Sequence, residues 1–143
     1  MARVLAVAGA AVVAVAAWRL LQRAPSDEER IAAMLDEMRA GAEARDPSPI
    51  LEHIAEGYQD QDGAGKRELR AYLHGYFLGA QTISATFLSR RIEVRQDAAT
   101  VDMRVLLRRD GAGDSMRIAL RLGRADGEWK IQSAHHEPLL GGP

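Results

Sequence analysis

Two adjacent histidines, His135 and His136, close the segment DGEWKIQSAHHEP over residues 126–138. Imidazole is the side chain best suited to moving protons or holding a metal near neutral pH. Neighbouring residues of a strand point to opposite faces, however, so a regular strand cannot bring this pair onto one ion. No His-x-x-His spacing or carboxylate cluster accompanies them, and no metal site is expected. Alternation puts His135 with Trp129, Ile131 and Ser133 on the covered side, and His136 with Lys130 and Gln132 on the outer side. His135 is therefore the candidate proton handler at a pocket floor; the plain alternative is a half-buried histidine hydrogen-bonded at a sheet edge.

An acid–base centre needs a second group, because pairing and burial tune the pKa of the first. Tyr58 and Tyr76 are the candidate partners, both on segments expected to be helical. His53 falls off the apolar side of its helix, and His74 lies toward a solvated edge. The residues expected to face inward from the strands (Ile83, Ala85, Phe87, Val101, Met103, Val105, Leu107, Met116, Ile118, Leu120, Leu122, Trp129, Ile131, Ser133 and His135) include no acid, and Asp102 has outward parity. No set of residues amounts to a catalytic centre. What the pattern offers instead is a small apolar pocket lined by Tyr72, Tyr76, Phe87, Met103, Val105, Trp129 and His135. The chain has no cysteine, which excludes disulfides, thiolate metal sites and a thiol nucleophile. No cofactor-binding signature is present.

The elements that must position these residues follow from local signals. Ser26 with Glu29 forms an S-x-x-E capping box, and Ile31, Met34, Leu35 and Met38 then recur at helical spacing. Ser48 and Pro49 start a second, short helix expected to run through Ile54 to a stop at Gly57. Leu69, Tyr72, Leu73, Tyr76 and Phe77 form the face of a third. From Thr82 the period falls to two, with a bulge or bend expected near Ser89–Arg91 and turns at QDAA, RDGAGDS and GRADGE. The expectation is an α+β fold: three helices packed on a bent four-stranded antiparallel sheet, preceded by a hydrophobic helix.

The first 25 residues are a different polymer. No charged side chain occurs from Val4 to Trp18, and that stretch would extend roughly 22 Å against a hydrocarbon core about 30 Å thick. With Leu20 and Leu21 added it reads as an anchor over residues 4–21; an alternative is a signal peptide cleaved after Ala14–Ala16. Either places the protein at a membrane or beyond it, with residues 26–138 as the folded domain and 139–143 as a tail. Formal net charge is −1, but residues 26–81 carry six bases against twelve acids and residues 82–143 ten against eight. Arg104, Arg108, Arg117, Arg121 and Lys130 make an outward basic stripe without interleaved aromatics, which argues against nucleic-acid binding.

The order of elements, with EARDP before the second helix, GKRELRAYLHGYFLG as the third, and DGEWKIQSAHHEP closing a bent sheet, resembles the nuclear transport factor 2-like superfamily. That group includes SnoaL-like polyketide cyclases and ketosteroid isomerases. The resemblance covers residues 27–138 and implies a cone-shaped roll, a pocket between helices and sheet, and dimerisation through the other sheet face. Its members include enzymes, binders and adaptors, so it does not choose an activity. The residues favour a binding or accessory module for a small apolar ligand. The alternatives are a cofactor-independent isomerase, cyclase or hydrolase using His135 with a helix tyrosine, and an adaptor dimerising through the sheet.

Overall fold

The computed structural model describes residues 2–139; the side chains of residues 2–8 and everything from residue 140 on, including most of the expected tail, lie outside that description. The first helix is α1 (Ala2–Leu21); its residues 9–18 carry no charge, and Val12, Val13, Val15, Trp18, Leu20 and Leu21 are exposed. Among the described residues no helix is long and apolar enough to cross a membrane.

Helix α2 (Asp27–Glu43) starts where its capping box directs: the Ser26 hydroxyl accepts the Glu29 backbone N–H at 3.2 Å. Its stripe of Ile31, Met34 and Leu35 is buried against the sheet. Helix α3 is one turn (Ser48–Leu51), capped by the Asp46 carboxylate, which accepts the Ser48 N–H at 3.0 Å. The chain then leaves the helical state sooner than expected. Residues Ile54–Asp60 form strand β1, which runs parallel to the last strand, and the His53 carbonyl accepts the Ile131 N–H at 2.8 Å. Ile54 and Tyr58, four apart, satisfy a helical and a strand period alike. Gly57 weakens the helix, and pairing with the sheet decides the outcome.

After α4 (Lys66–Leu78) come β2 (Ile83–Arg95), β3 (Ala98–Arg109), β4 (Ala112–Ala125) and β5 (Glu128–Pro138). The sheet has five strands, not four, in the order β1-β5-β4-β3-β2, and is mixed because β1 is parallel to β5. Four of the five form the expected antiparallel meander. One face packs against α2 in a core of Ile31, Met34, Leu35, Ile54, Tyr58, Val101, Met103, Val105, Leu120, Leu122, Trp129 and Ile131. No buried polar or charged residue occurs among the described residues.

Two bulges steer the antiparallel strands. Phe87 pairs with Val105 and Ser89 with Arg104, so Leu88 is the extra residue. Beyond it Arg90, Ile92 and Val94 take over the covered side, opposite Met103, Val101 and Ala99. Leu122 pairs with Ile131 and Arg121 with Ser133, which leaves Gln132 as the second extra residue. Gly123, on the neighbouring strand, has no side chain, and the Gln132 amide lies where a Cβ would stand.

The N-terminus of α2 is tied to the β4–β5 hairpin by one carboxylate. Asp27 Oδ1 accepts the Trp129 indole N–H at 3.2 Å and Oδ2 accepts from the Arg124 guanidinium at 2.6 Å, while Arg124 lies 4.6 Å over the Trp129 ring. The indole first, and Arg124 second, hold the Asp27 carboxyl below its ordinary range.

Candidate functional site

The bulge at Gln132 decides where the histidines point. Past it, Ala134 pairs with Leu120 and His136 with Ile118, both on the helix side, while His135 pairs with Ala119 and Ser133 with Arg121 on the open side. A regular strand would have placed His135 and Ser133 inward; the extra residue exchanges the two faces. His135 is therefore not a pocket floor under the helices, and His136 is not the outward member of the pair.

His135 stands instead in a hollow of about 490 Å³ on the face of the sheet that no helix covers. Two cross-strand rows build its floor. The first runs Arg91, Asp102, Ala119, His135; the second runs Glu93, Thr100, Arg121, Ser133. Asp60 and Gln61 close one end, and the Gln61 side-chain oxygen accepts the His136 N–H at 2.6 Å. Asp60 Oδ1 accepts the N–H groups of Asp62 and Ala64 and so shapes the turn before α4. Asp102 has the outward parity expected of it. It accepts from Arg117 Nε at 3.1 Å and Nη2 at 2.5 Å, and Arg91 pairs with Glu93 at 3.1 Å. The paired hydrogen bonds hold the Asp102 carboxyl below its ordinary range and raise the Arg117 guanidinium above its own.

The other candidates do not converge on His135. Tyr58 is buried on the helix side of the sheet, and burial first, then the Asp60 charge, push its hydroxyl up. Tyr76 lies on α4, stacked on Tyr72 at 5.8 Å with Arg109 4.9 Å over its ring. Tyr72 itself is 64% exposed. Phe87 sits between two guanidinium groups, Arg39 at 5.6 Å and Arg90 at 5.3 Å. Met103, Val105 and Trp129 are part of the packed core. The seven side chains proposed to line an apolar pocket are thus spread over α4, the core and the open face. Of the outward stripe, Arg104, Arg108, Arg117 and Arg121 lie on the open face, and Arg104 and Arg117 are direct cross-strand partners.

Sequence reasoning passed over one imidazole–carboxylate pair. His53, in the turn between α3 and β1, lies 2.8 Å from Glu37 of α2, through Nε2 and Oε2. The Glu37 side chain is 63% exposed, so the pair sits at a rim and not deep in a cavity. The signal was weak because the partners are sixteen residues apart on different elements. Among the described residues no three His, Asp or Glu side chains gather as a metal site.

Comparison with known proteins agrees with this architecture. The model of the SnoaL-like domain matches residues 55–139, more than half of the chain. No curated protein matches. Among solved structures, Bd1075 of Bdellovibrio bacteriovorus superposes with a TM-score of 0.71 at 14% identity; the match covers 76% of this chain but 40% of that protein. A protein of the NTF2-like family from Streptomyces avermitilis, provisionally described as a dehydratase, gives 0.70 at 15% identity, covering 80% of this chain and 98% of that one. An NTF2-like protein of unknown function from Pseudomonas putida gives 0.67 at 15%, covering 75% and 82%. At these identities the solved structures speak for the fold alone, and with the family match they lead to one statement: the chain belongs to the SnoaL-like domain family of the nuclear transport factor 2-like superfamily.

Proposed function

We propose that the chain is a non-enzymatic accessory module that associates with a lipid surface through α1 and pairs with a second copy of itself through the open face of its sheet. The observation that carries this reading is the closure of the helix side: the inward positions of β3, β4 and β5 are filled by Val101, Met103, Val105, Leu120, Leu122, Trp129 and Ile131. The larger hollow lies on the other face and is lined by charged and apolar residues together. A charged surface that pairs with itself needs both signs, since a two-fold axis sets the patch against itself. The open face does so, with Arg91, Arg104, Arg117 and Arg121 interleaved with Glu93, Asp102 and Glu137. The exposed apolar side chains of α1 support a lipid-associated location, because such a helix has no polar face to leave in water. The separation of His135 from Tyr58 and Tyr76 weighs against an isomerase or cyclase built on those groups.

Ala119 stands mid-row between Asp102 and His135, and its exposed side chain leaves room for an insertion. Ala119→Arg is expected to weaken self-association by at least about tenfold, or ~1.4 kcal/mol, in sedimentation equilibrium in mild detergent, with an unchanged circular dichroism spectrum. A wild-type chain that stays monomeric at every concentration, or an Ala119→Arg chain that pairs as well as wild type, contradicts the reading.

A further inference from the structure

A second hollow, of about 230 Å³, opens between α2, the turn joining α3 to β1, and the β4–β5 hairpin. Met34 and Trp129 give it an apolar wall, and Arg30 and Lys130 stand at it as cations. His53 lines the hollow and Glu37 does not. Nε2 of His53 is engaged by Glu37, which leaves Nδ1 as the ring nitrogen open to a ligand. Among the described residues Nδ1 has no hydrogen-bond partner, and it is not one of the buried polar atoms shut off from solvent. When Nε2–H donates to the Glu37 carboxylate, the neutral ring is fixed in the tautomer whose Nδ1 has a free lone pair, so Nδ1 is the acceptor.

We propose that this hollow binds a flat, one-ring weak acid, a phenol or an enol, and that His53 takes its proton. The volume is below that of drug-sized pockets and suits a single ring against Met34 and Trp129. In the step, the O–H bond of the ligand breaks with its electron pair staying on oxygen, and an N–H bond forms at Nδ1. The resulting imidazolium keeps its Nε2–H on Glu37. The ligand anion is left beside that imidazolium and the Arg30 guanidinium. Lys130 is already engaged, with the Glu52 carbonyl and with Glu128 at 3.5 Å. Glu52 and Glu128 are the acids lining the hollow, so a ligand carrying a full negative charge before it enters is disfavoured, and a neutral acid that ionises inside is not. This site is separate from the open sheet face and does not depend on pairing.

The test is a spectrophotometric titration of 4-nitrophenol with the full chain, below the pH at which the free phenol ionises. Binding is expected to raise the phenolate band saturably, equivalent to an apparent pKa lowered by about one unit, or tenfold in the ionisation constant. His53→Gln should abolish the rise, and Glu37→Gln, which leaves the imidazole but removes its anionic partner, should reduce it several-fold. Should His53→Gln fail to fold, the comparison rests on Glu37→Gln and on 4-nitroanisole, which has no proton to give and should bind at least about tenfold more weakly. Ala119→Arg should leave the titration unchanged, so that loss of self-association and loss of the phenolate signal are separate results. A folded wild-type chain with no phenolate rise, a rise that survives His53→Gln, or equal binding of the anisole overturns the proposal.

Discussion

Leu122→Ala is expected to lower stability by about 2–5 kcal/mol, the range for deleting a fully buried leucine side chain. Leu122 is 2% exposed, and it faces the α2 stripe from the last third of β4, opposite Ile131. Removing its isobutyl group leaves a void whose walls are held by strands on both sides, so collapse into it is limited. Chemical denaturation followed by circular dichroism reads the change. The control is His135→Ala, expected within about 0.5 kcal/mol of wild type because the residue stands on the open face. The contrast carries the argument: a His135→Ala loss approaching that of Leu122→Ala would put the imidazole in the packed side. A Leu122→Ala loss under about 1 kcal/mol would mean the helix side is not closed.

The second large effect is expected for Trp129→Ala, at about 3–5 kcal/mol from lost packing. Trp129 is buried in the core, its indole N–H is held by Asp27, and its ring is covered by Arg124. The substitution therefore also releases the N-terminus of α2 from the β4–β5 hairpin. A pH signature separates this tie from packing alone. The Asp27 carboxyl is held below its ordinary value of 3.8, so its contribution is complete above that value and is lost as pH falls through the lowered one. Without Trp129 the largest cause of the lowering is gone. Stability of Trp129→Ala should consequently fall less steeply than wild type on the acid side, and an acid limb of wild-type slope would show that Asp27 does not depend on the indole.

Much of the architecture was legible in the residues because several signals agreed. Ser26 and Glu29 set the start of α2, the Ile31, Met34 and Leu35 stripe set its buried side, and strict alternation in Val101, Met103 and Val105 set the face of β3. The failures share a cause: two elements depend on partners distant in sequence. Ile54 and Tyr58 fit either period, and only the edge of β5 makes their segment a strand. In β5 the odd positions Trp129, Ile131, Ser133 and His135 read as one continuous face, so nothing local announces an extra residue at Gln132. Two hints were present: Ala134 is the apolar member between two polar neighbours, and Gly123 on β4 leaves space where the Gln132 side chain settles. That shift is why the candidate site was misplaced although the residue at its centre, His135, was named. The bulge at Leu88 was expected within a residue or two, because there the apolar parity visibly changes from Phe87 to Ile92.

The most direct measurement is the set of proton–proton Overhauser contacts of the His135 imidazole in the folded chain. With Gln132 as the extra residue, the ring stands opposite Ala119, and its contacts should run to the Ala119 methyl and to the flanking open-face side chains of Arg117 and Arg121. Contacts from the His135 ring to the side chains of Ile118 and Leu120 would instead place it under the helices, and would restore a proton-handling group to the side of the sheet that Tyr58 shares.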